Sequence, residues 1–260
     1  MARQKRSINR RRRKRRGAKI FWTIVTFLIV AGAIIGSLTV FLKVGHIEVS
    51  GNTYYTAEQI IKSSGIEVGN NLFGVNKFES IERIEKEYPY IETVKITRKL
   101  PDTFLFDVIE RKPCGYVVTS DGNWIVDAKG FLLERVEGEG TLSGAKIIAE
   151  EPLVTPFAGG EVNWATAGKK DAMVTLLAEL SNHELLDAVS EINLSAVYSM
   201  QFKYEDRITV ILGANEELPK KLNMLSAVLP ELAPTDRGKL NLSNLGEARF
   251  TPERVVYDEK

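Results

Sequence analysis

The residues that could carry catalysis are few and scattered along this 260-residue sequence. The single cysteine, Cys114, follows Pro113, and the two histidines, His46 and His183, lie far from it in the chain. A cysteine and a histidine can form a nucleophilic dyad, but a lone cysteine in such a setting is more commonly a small buried thiol. Two isolated histidines and one cysteine provide no metal-ligand spacing. The sequence therefore predicts neither a metal site nor a cofactor.

The acidic residues give no clearer indication of chemistry. Residues 121–127 resemble the start of a calcium-binding loop, but they lack the ligand, glycine and terminal glutamate that such a loop requires, so a hairpin turn is the better interpretation. Glu150 and Glu151 are neighbours and would point to opposite faces of an extended strand. No Gly-x-Ser-x-Gly elbow is present. We therefore predict that the protein is not an enzyme.

The charges divide the sequence into three parts. Residues 1–19 contain 11 basic side chains and no acid, residues 20–42 contain no charge, and the rest contains 24 basic and 34 acidic groups. The formal net charge of +1 is therefore an average over very unequal segments. This distribution argues against a uniformly basic nucleic-acid binder and against an ordinary soluble cytosolic enzyme.

The uncharged run is predicted to be a transmembrane signal anchor. As a helix, its 23 residues would extend about 34 Å, against a hydrocarbon core of about 30 Å. A cleaved signal peptide is the alternative, since Ala31-Gly32-Ala33 resembles a cleavage site, but secretory apolar regions are usually shorter than this run. Basic residues precede the run, which predicts a cytoplasmic N-terminus and an exported region from Lys43 onward. The residues that set this topology are Arg10, Arg11, Arg12, Arg13, Lys14, Arg15, Arg16 and Lys19.

Two features of this N-terminal region permit further interpretations. The basic arm could bind nucleic acid or anionic lipid, but topology already explains it and no aromatic residue interleaves with its arginines, so we expect no specific nucleic-acid partner. Gly32 and Gly36 could let a second helix pack closely, although small residues are common in membrane spans.

In the exported region, a single cysteine cannot form an internal disulfide, so the hydrophobic core must stabilise the fold.

The region after the anchor alternates between strand and helix patterns. A strand is predicted at 46–51, a short helix between Thr56 and Gly65, and two further strands around 93–97 and 104–109. A second helix precedes these strands, with an apolar stripe formed by Phe78, Ile81, Ile84 and Tyr88. This order of strand, helix, helix, strand and strand predicts a small α+β module with both helices on one face of a sheet.

Four segments of this module carry a family resemblance. They are Ile47-Glu48-Val49-Ser50-Gly51-Asn52, Ile91-Glu92-Thr93-Val94-Lys95-Ile96, Arg98-Lys99-Leu100-Pro101-Asp102-Thr103 and Val108-Ile109-Glu110-Arg111-Lys112-Pro113. Placed after a signal anchor, they resemble the POTRA domain of the bacterial DivIB/FtsQ cell-division family. The resemblance covers roughly residues 20–252. It implies a cytoplasmic arm at 1–19, an anchor at 20–42, a βααββ POTRA domain at 43–112, a β domain at 113–252 and a charged tail at 253–260.

The second half of the sequence is predicted to form a larger mixed β-sheet domain with flanking helices. Residues 116–134 predict a hairpin with a second turn at Lys129-Gly130, and residues 141–163 predict a loop. Further strands are predicted at 189–194, 197–204, 207–212, 239–242 and 247–251. Helices are predicted around two sets of apolar residues, which are Met173, Leu176, Leu177 and Leu180, and then Leu218, Leu222, Leu225, Leu229 and Leu232.

The resemblance implies a non-catalytic scaffold of the division machinery. In the family, the last strands of the β domain dock two small single-span coiled-coil proteins, FtsL and DivIC or FtsB, in a complex that regulates septal peptidoglycan synthesis by septal synthases. Carried over by position, the docking strand is Glu247–Thr251 and its neighbour is Leu240–Asn244. The residues expected to bind partners are Leu240, Leu242, Asn244, Glu247, Ala248, Arg249, Phe250 and Thr251. Glu247, Arg249 and Thr251 would share one face of the strand, and Ala248 and Phe250 the other.

One departure from the family pattern and two other functions stay open at this point. Where many relatives have Asp-Leu-Arg-Tyr, this sequence has Asn241-Leu242-Ser243-Asn244, so a contact through that arginine is not available and Arg249 is the candidate substitute. The edge residue Phe250 could instead fill the core of the β domain. The alternative functions are a membrane-anchored cell-wall enzyme and another POTRA-bearing protein of envelope assembly.

Overall fold

The computed structural model describes residues 19–37, 42–138 and 142–253 of the chain. Its contacts divide the chain into two compact units. Unit 1 comprises Met1–Ile84 and Thr93–Val108, and unit 2 comprises Glu85–Glu92 and Ile109–Lys260. The helices and strands of the chain form one small and one large β-sheet with accompanying helices, which confirms the predicted α+β class.

Helix α1, Lys19–Ser37, is long and apolar enough to cross a membrane. Its 19 residues extend about 28 Å, and its large apolar side chains are exposed, as expected for a helix surrounded by lipid. A Cβ placed on Gly32 or Gly36 would meet no atom within 4 Å, so their packing against a second helix stays a prediction. The predicted topology residues Arg10–Arg16 and the last part of the predicted anchor, residues 38–41, lie outside the described residues.

The elements after α1 follow the predicted order of strand, two helices and two strands. They are β1 (His46–Ser50), α2 (Ala57–Ser64), α3 (Lys77–Glu87), β2 (Ile91–Lys99) and β3 (Thr103–Glu110). The sheet order is β1-β3-β2, with β1 parallel to β3. Alternate strand residues such as Phe104 and Phe106 are fully buried, as are Ile60 of α2 and Ile84 of α3.

Helix α2 begins and ends where the sequence predicts it. The Thr56 side chain accepts a hydrogen bond from the Gln59 N–H, and the Gln59 side chain accepts one from the Thr56 N–H. This reciprocal pair satisfies two amide groups that a helix start leaves without partners. Gly65 ends the helix with a φ of 68°, a left-handed conformation that glycine adopts without steric cost.

The predicted apolar stripe of α3 is wrong at Phe78, which is 82% exposed. The face of α3 that packs inward consists instead of Lys77, Ser80, Ile81 and Ile84, of which Ser80 and Ile84 are buried. Steps of three residues drift by about 60° around a helix of 3.6 residues per turn. Two such steps separate Phe78 from Ile84, which places their side chains on different faces of the helix.

Unit 2 is built on a nine-stranded sheet with the order β12-β11-β10-β9-β8-β7-β4-β5-β6. The strands are β4 (Pro113–Thr119), β5 (Gly122–Asp127), β6 (Leu132–Val136), β7 (Ala145–Ile148), β8 (Val189–Asn193), β9 (Met200–Tyr204), β10 (Ile208–Gly213), β11 (Gly238–Asn241) and β12 (Arg249–Pro252). Strand β7 is parallel to β4 and β8, and β10 is parallel to β11. The remaining neighbours are antiparallel. The sheet is therefore mixed, as predicted.

One face of this sheet packs against α4 (Lys169–Asn182) and α5 (Leu218–Val228). The predicted apolar faces of both helices are confirmed through Leu225, and α5 gives way to a 3₁₀ turn at Leu229–Glu231, which contains Pro230. These helices form a single core with alternate strand residues, among them Val117, Ile147, Ile192, Phe202, Val210 and Leu240. The intervening strand residues form the opposite face of the sheet, which is partly exposed in its central strands.

The predicted loop at 141–163 is wrong for residues 145–148, which form β7 in the middle of the sheet. Ala145 and Ile147 are fully buried. The segment is only four residues long and lies among glycines, prolines and glutamates, so its alternation is too short to stand out. Its burial depends on long-range pairing with β4 and β8. The predicted strand at 197–204 is confirmed from Met200 onward, after a turn at 197–199.

Candidate docking edge

Strand β12 is the last strand of the larger sheet and lies at its edge. It pairs antiparallel with β11, so that Leu240 lies opposite Phe250 and Lys239 lies opposite Thr251. Among the described residues, no strand pairs with the other side of β12. The sheet therefore ends on a strand whose outer side can accept a further strand.

The hydrogen-bond pattern identifies the backbone groups on the free side of β12. The Glu253 N–H donates to the Arg237 carbonyl oxygen at 2.8 Å, which makes these two residues a hydrogen-bonded pair. Such pairs alternate with non-hydrogen-bonded pairs along antiparallel strands. Thr251 and Arg249 consequently face β11 with their backbone groups, whereas the N–H and C=O of Phe250 point away from β11.

The predicted partner-binding residues fall into an exposed set and a buried set. Leu240 and Leu242 are fully buried in the core, so their side chains do not reach the surface. Ala248 and Phe250 are half-buried and pack against the same core. The exposed set consists of Asn244, Glu247, Arg249 and Thr251. The side-chain alternation expected for 247–251 therefore matches the structure, although the strand itself begins at Arg249.

Two features define the packing of the strands next to this edge. A Cβ on Gly238 would lie 2.3 Å from the Thr251 carbonyl oxygen, so the close approach of the two strands requires glycine at this position. Lys221 of α5 is buried, and its Nζ donates to the carbonyl oxygens of Leu212 and Ala214, both at 2.8 Å. Burial lowers the pKa of Lys221, an effect that Glu216 and Glu217 oppose. This side chain ties α5 to the end of β10, the neighbour of β11.

A groove of about 450 Å³ lies beside the edge, on the face opposite α4 and α5. The strand registers place Lys203, Thr209, Lys239 and Thr251 in one row across four strands. Among the described residues, neither lysine forms an ion pair, although Glu191 lies opposite Lys203 in the strand register and Asp206 and Glu253 line the same groove. Sequence reasoning did not identify Lys203 and Lys239, because only the pairing of β9, β10 and β11 brings them together. In the sequence, each lysine is next to a residue of the predicted apolar face, which indicates that its side chain lies on the opposite face of the sheet.

The candidate catalytic residues have surroundings that suit structural roles. Burial, together with the charge of Asp127, raises the pKa of Cys114 to about 12, which disfavours the thiolate. His46 is exposed in unit 1, where its Nδ1 lies 3.4 Å from Asp102 Oδ2. His183 ends α4 in unit 2, with Nδ1 3.5 Å from Ser226 Oγ. Within the described ranges, no cluster of three or more His, Cys, Asp or Glu side chains could hold a metal ion.

The acidic candidates are likewise engaged in local structure. Asp127 Oδ1 accepts hydrogen bonds from the N–H groups of Lys129 and Phe131, and its Oδ2 lies 2.9 Å from Arg111 Nη1. These bonds shape the turn after β5, as the hairpin interpretation predicted. Glu151 accepts a 2.7 Å hydrogen bond from Lys169 Nζ. Asp127 and Glu151 therefore stabilise a turn and a loop of unit 2.

Comparisons with known proteins agree with this architecture. A family model described as "POTRA domain, FtsQ-type" matches residues 42–111, and one described as "Cell division protein FtsQ/DivIB, C-terminal" matches residues 115–247. The chain is 28% identical over 249 residues to the cell division protein DivIB of Clostridium botulinum strain Hall, covering 94% of each chain. It is 27% identical over 219 residues to the cell division protein FtsQ of Corynebacterium glutamicum, covering 81% of this chain and 90% of that protein.

The fold and the matches together define a class of protein with an apolar N-terminal helix, a POTRA domain and a larger mixed β-sheet domain. A helix with these properties at the N-terminus is consistent with a single-pass membrane anchor. Because the C-terminal family model spans more than half of the sequence, the chain belongs to the FtsQ/DivIB family of bacterial cell division proteins. A role in the division machinery follows from this membership.

Proposed function

We propose that the chain is a non-catalytic bitopic scaffold of the divisome that docks small single-span coiled-coil proteins of the FtsL and DivIC/FtsB type. One of these partners adds an extended segment to β12 and continues the sheet, which is the general mode called β-augmentation. By holding its partners in a fixed geometry, the protein helps to regulate septal peptidoglycan synthesis by the septal synthases.

The observation that carries this proposal is the free side of β12. The outward-pointing N–H and C=O of Phe250 offer one donor and one acceptor to an incoming strand, and the Pro252 carbonyl offers a second acceptor. Arg249 and Thr251 are exposed next to them, which allows side-chain selectivity. Lys203 and Lys239 lie on the same face as Thr251. The backbone groups of β12 thus provide affinity for the incoming strand, and the exposed side chains provide specificity.

The same proposal includes an orientation and a location. The basic residues that precede α1 keep the N-terminus in the cytoplasm, and the region after α1 is extracytoplasmic. The cell division relatives support concentration of the protein at the division septum.

The proposal is tested by two substitutions at one position of the full-length protein. Phe250→Pro removes the outward N–H but leaves the bonds between β11 and β12, because those bonds use Thr251 and Arg249. Phe250→Ala keeps the N–H and removes the same ring. A net hydrogen bond contributes about 1 kcal/mol and an unpaired partner carbonyl adds to the loss, so we expect Phe250→Pro to weaken partner binding by about tenfold relative to Phe250→Ala.

The readout is co-purification of the partners from membranes, together with thermal unfolding of both variants. Because Phe250 is half-buried, both variants should lose some stability. Both lack the ring, so a difference in partner binding between them reports the loss of the N–H group. Equal partner yields from the two variants would contradict strand addition at β12. A specific loss in Phe250→Pro at matched stability would support it.

A further inference from the structure

Three exposed apolar side chains of unit 1 lie on loops close to the point where the chain would leave a membrane. The described part of helix α1 reaches Ser37, and the uncharged run of the sequence continues to Leu42, with Lys43 as the first charged residue after it. Four residues between Ser37 and Leu42 can extend at most about 18 Å. If α1 crosses a bilayer, Leu42 must therefore lie near the bilayer surface, on whichever side the chain emerges.

Backbone hydrogen bonds hold two loops against this exit segment. The Leu72 N–H donates to the Leu42 carbonyl oxygen at 2.9 Å, and the Val44 N–H donates to the Asn70 carbonyl oxygen at 2.9 Å. Lys43 and Asn71 form an isolated antiparallel β-bridge. On the next residue of the chain, the Gly45 N–H donates to the Asp102 carbonyl oxygen at 2.7 Å. The loop at 67–74 and the turn at 100–102 therefore stay near the membrane exit.

Both loops expose large apolar side chains that the core of unit 1 does not use. Val68 is 69% exposed, Phe73 is 53% exposed and Leu100 is 62% exposed, whereas their neighbours Leu72 and Val44 are buried. We call Val68, Phe73 and Leu100 the apolar tip. Single exposed apolar side chains are common on protein surfaces. Three of them on two loops beside a membrane exit instead indicate an interaction surface.

Basic groups accompany the apolar tip. Arg98 donates to the carbonyl oxygens of Leu72 at 2.7 Å and Val75 at 3.0 Å, and its guanidinium lies 5.5 Å from the centre of the Phe73 ring. This arrangement fixes the loop and holds the ring in place. Lys43 and Lys99 are exposed next to the two loops. The acidic groups in the same segments are Glu67 and Asp102, and Asp102 lies 3.4 Å from His46.

We propose that the apolar tip of unit 1 rests in the interfacial region of the phospholipid bilayer that α1 crosses. Phe73, Val68 and Leu100 lie at the level of the headgroups, where amphipathic and aromatic surfaces bind, and Lys43 and Lys99 contact lipid phosphates. The contact restricts how the sheet and helices of unit 1 can move relative to the bilayer surface. It does not depend on which side of the membrane carries the exported region or on docking at β12.

The test uses the full-length protein in vesicles of phosphatidylethanolamine and phosphatidylglycerol. In a Cys114→Ala background, Phe73→Cys and Val68→Cys are each labelled with an environment-sensitive fluorophore. Tyr54→Cys is the matched control, because Tyr54 is an aromatic residue of similar exposure, 56%, that follows the other end of β1. Lipids with a nitroxide on the headgroup serve as quencher.

We expect emission at positions 73 and 68 to shift to shorter wavelength in vesicles and to be quenched several-fold more than emission at position 54. The vesicles contain no other protein, so quenching identifies lipid as the occupant. Equal quenching at all three positions, or none at 68 and 73, would overturn the proposal. Since the label replaces the Phe73 ring that Arg98 contacts, position 68 provides a second reading that leaves this contact intact.

Discussion

Lys169 and Glu151 form a largely buried ion pair in unit 2. Lys169 is buried, and its Nζ donates to Glu151 at 2.7 Å and to the Ala149 carbonyl oxygen at 3.0 Å. The Thr166 N–H donates to the other carboxylate oxygen of Glu151. These hydrogen bonds lower the pKa of Glu151 from 4.5 to about 2, and the bond from Lys169 has the largest effect. The pair fastens the segment after β7 to the start of α4.

This pKa shift predicts how stability depends on pH. Since the folded state depresses the pKa, the contribution of Glu151 is fully present above about pH 4.5 and is lost as the pH falls toward 2. We expect Glu151→Gln to lower the melting temperature at pH 7, and the difference from the unmodified protein to vanish near pH 2. Thermal unfolding of the full-length protein in detergent across this range is the measurement.

The matched control is Glu161→Gln, which removes an ion pair with Lys170 whose side chains are much more exposed. Exposed pairs contribute little to stability, so this variant should behave like the unmodified protein at every pH. A Glu151→Gln variant with a pH-independent loss, or with no loss, would show that the carboxylate charge is not what holds the segment.

At the scale of elements, the sequence predicted helices and strands best where nearby residues determine them. The capping pair of Thr56 and Gln59 and the glycine at position 65 define α2 without reference to the rest of the chain. The leucines at steps of four and three likewise predicted α5 and its buried face. Phe78 was misplaced because a step of three residues was treated as one face of a helix.

Long-range pairing was the part that the sequence could not supply. Strand β7 has only four residues, and its burial follows from β4 and β8, which come from distant parts of the chain. The same holds for the groove beside β12, where the row containing Lys203 and Lys239 exists only after three strands have paired. Residues 247–251 were expected to form an edge strand, and the strand order does place β12, which begins at Arg249, at the edge of the sheet.

The pairing of β4 with β7 depends on a glycine. A Cβ on Gly115 would lie 2.3 Å from the carbonyl oxygen of Ala145, so a side chain there forces the two strands apart. We expect Gly115→Ala to destabilise unit 2 by about 1–3 kcal/mol, as overpacking of a buried site commonly does. Chemical denaturation measures this loss, with Ser120→Ala at an exposed turn position as the control. Unchanged stability in Gly115→Ala would mean that the approach of the strands can relax.

At the scale of the whole molecule, the apolar helix and the free sheet edge belong to different parts of the chain. The apolar helix can hold the chain in a membrane, and the larger sheet ends on a strand with free backbone groups. Asp127 and Glu151, which were first considered for chemistry, have local structural partners, and the pKa of Cys114 is raised, which disfavours the reactive thiolate. Family membership places this arrangement in cell division. The proposal that joins these facts is docking at the outer side of β12.

Photo-crosslinking in growing cells tests that claim most directly. A photoreactive amino acid replaces Thr251, which is exposed on β12, and a control chain carries it at Arg135 on β6, the strand at the opposite edge of the same sheet. The account predicts a crosslink to a small single-span division protein from position 251 and none from position 135. If position 251 gives no such crosslink at normal protein abundance, or if position 135 gives it instead, β12 is not the docking edge.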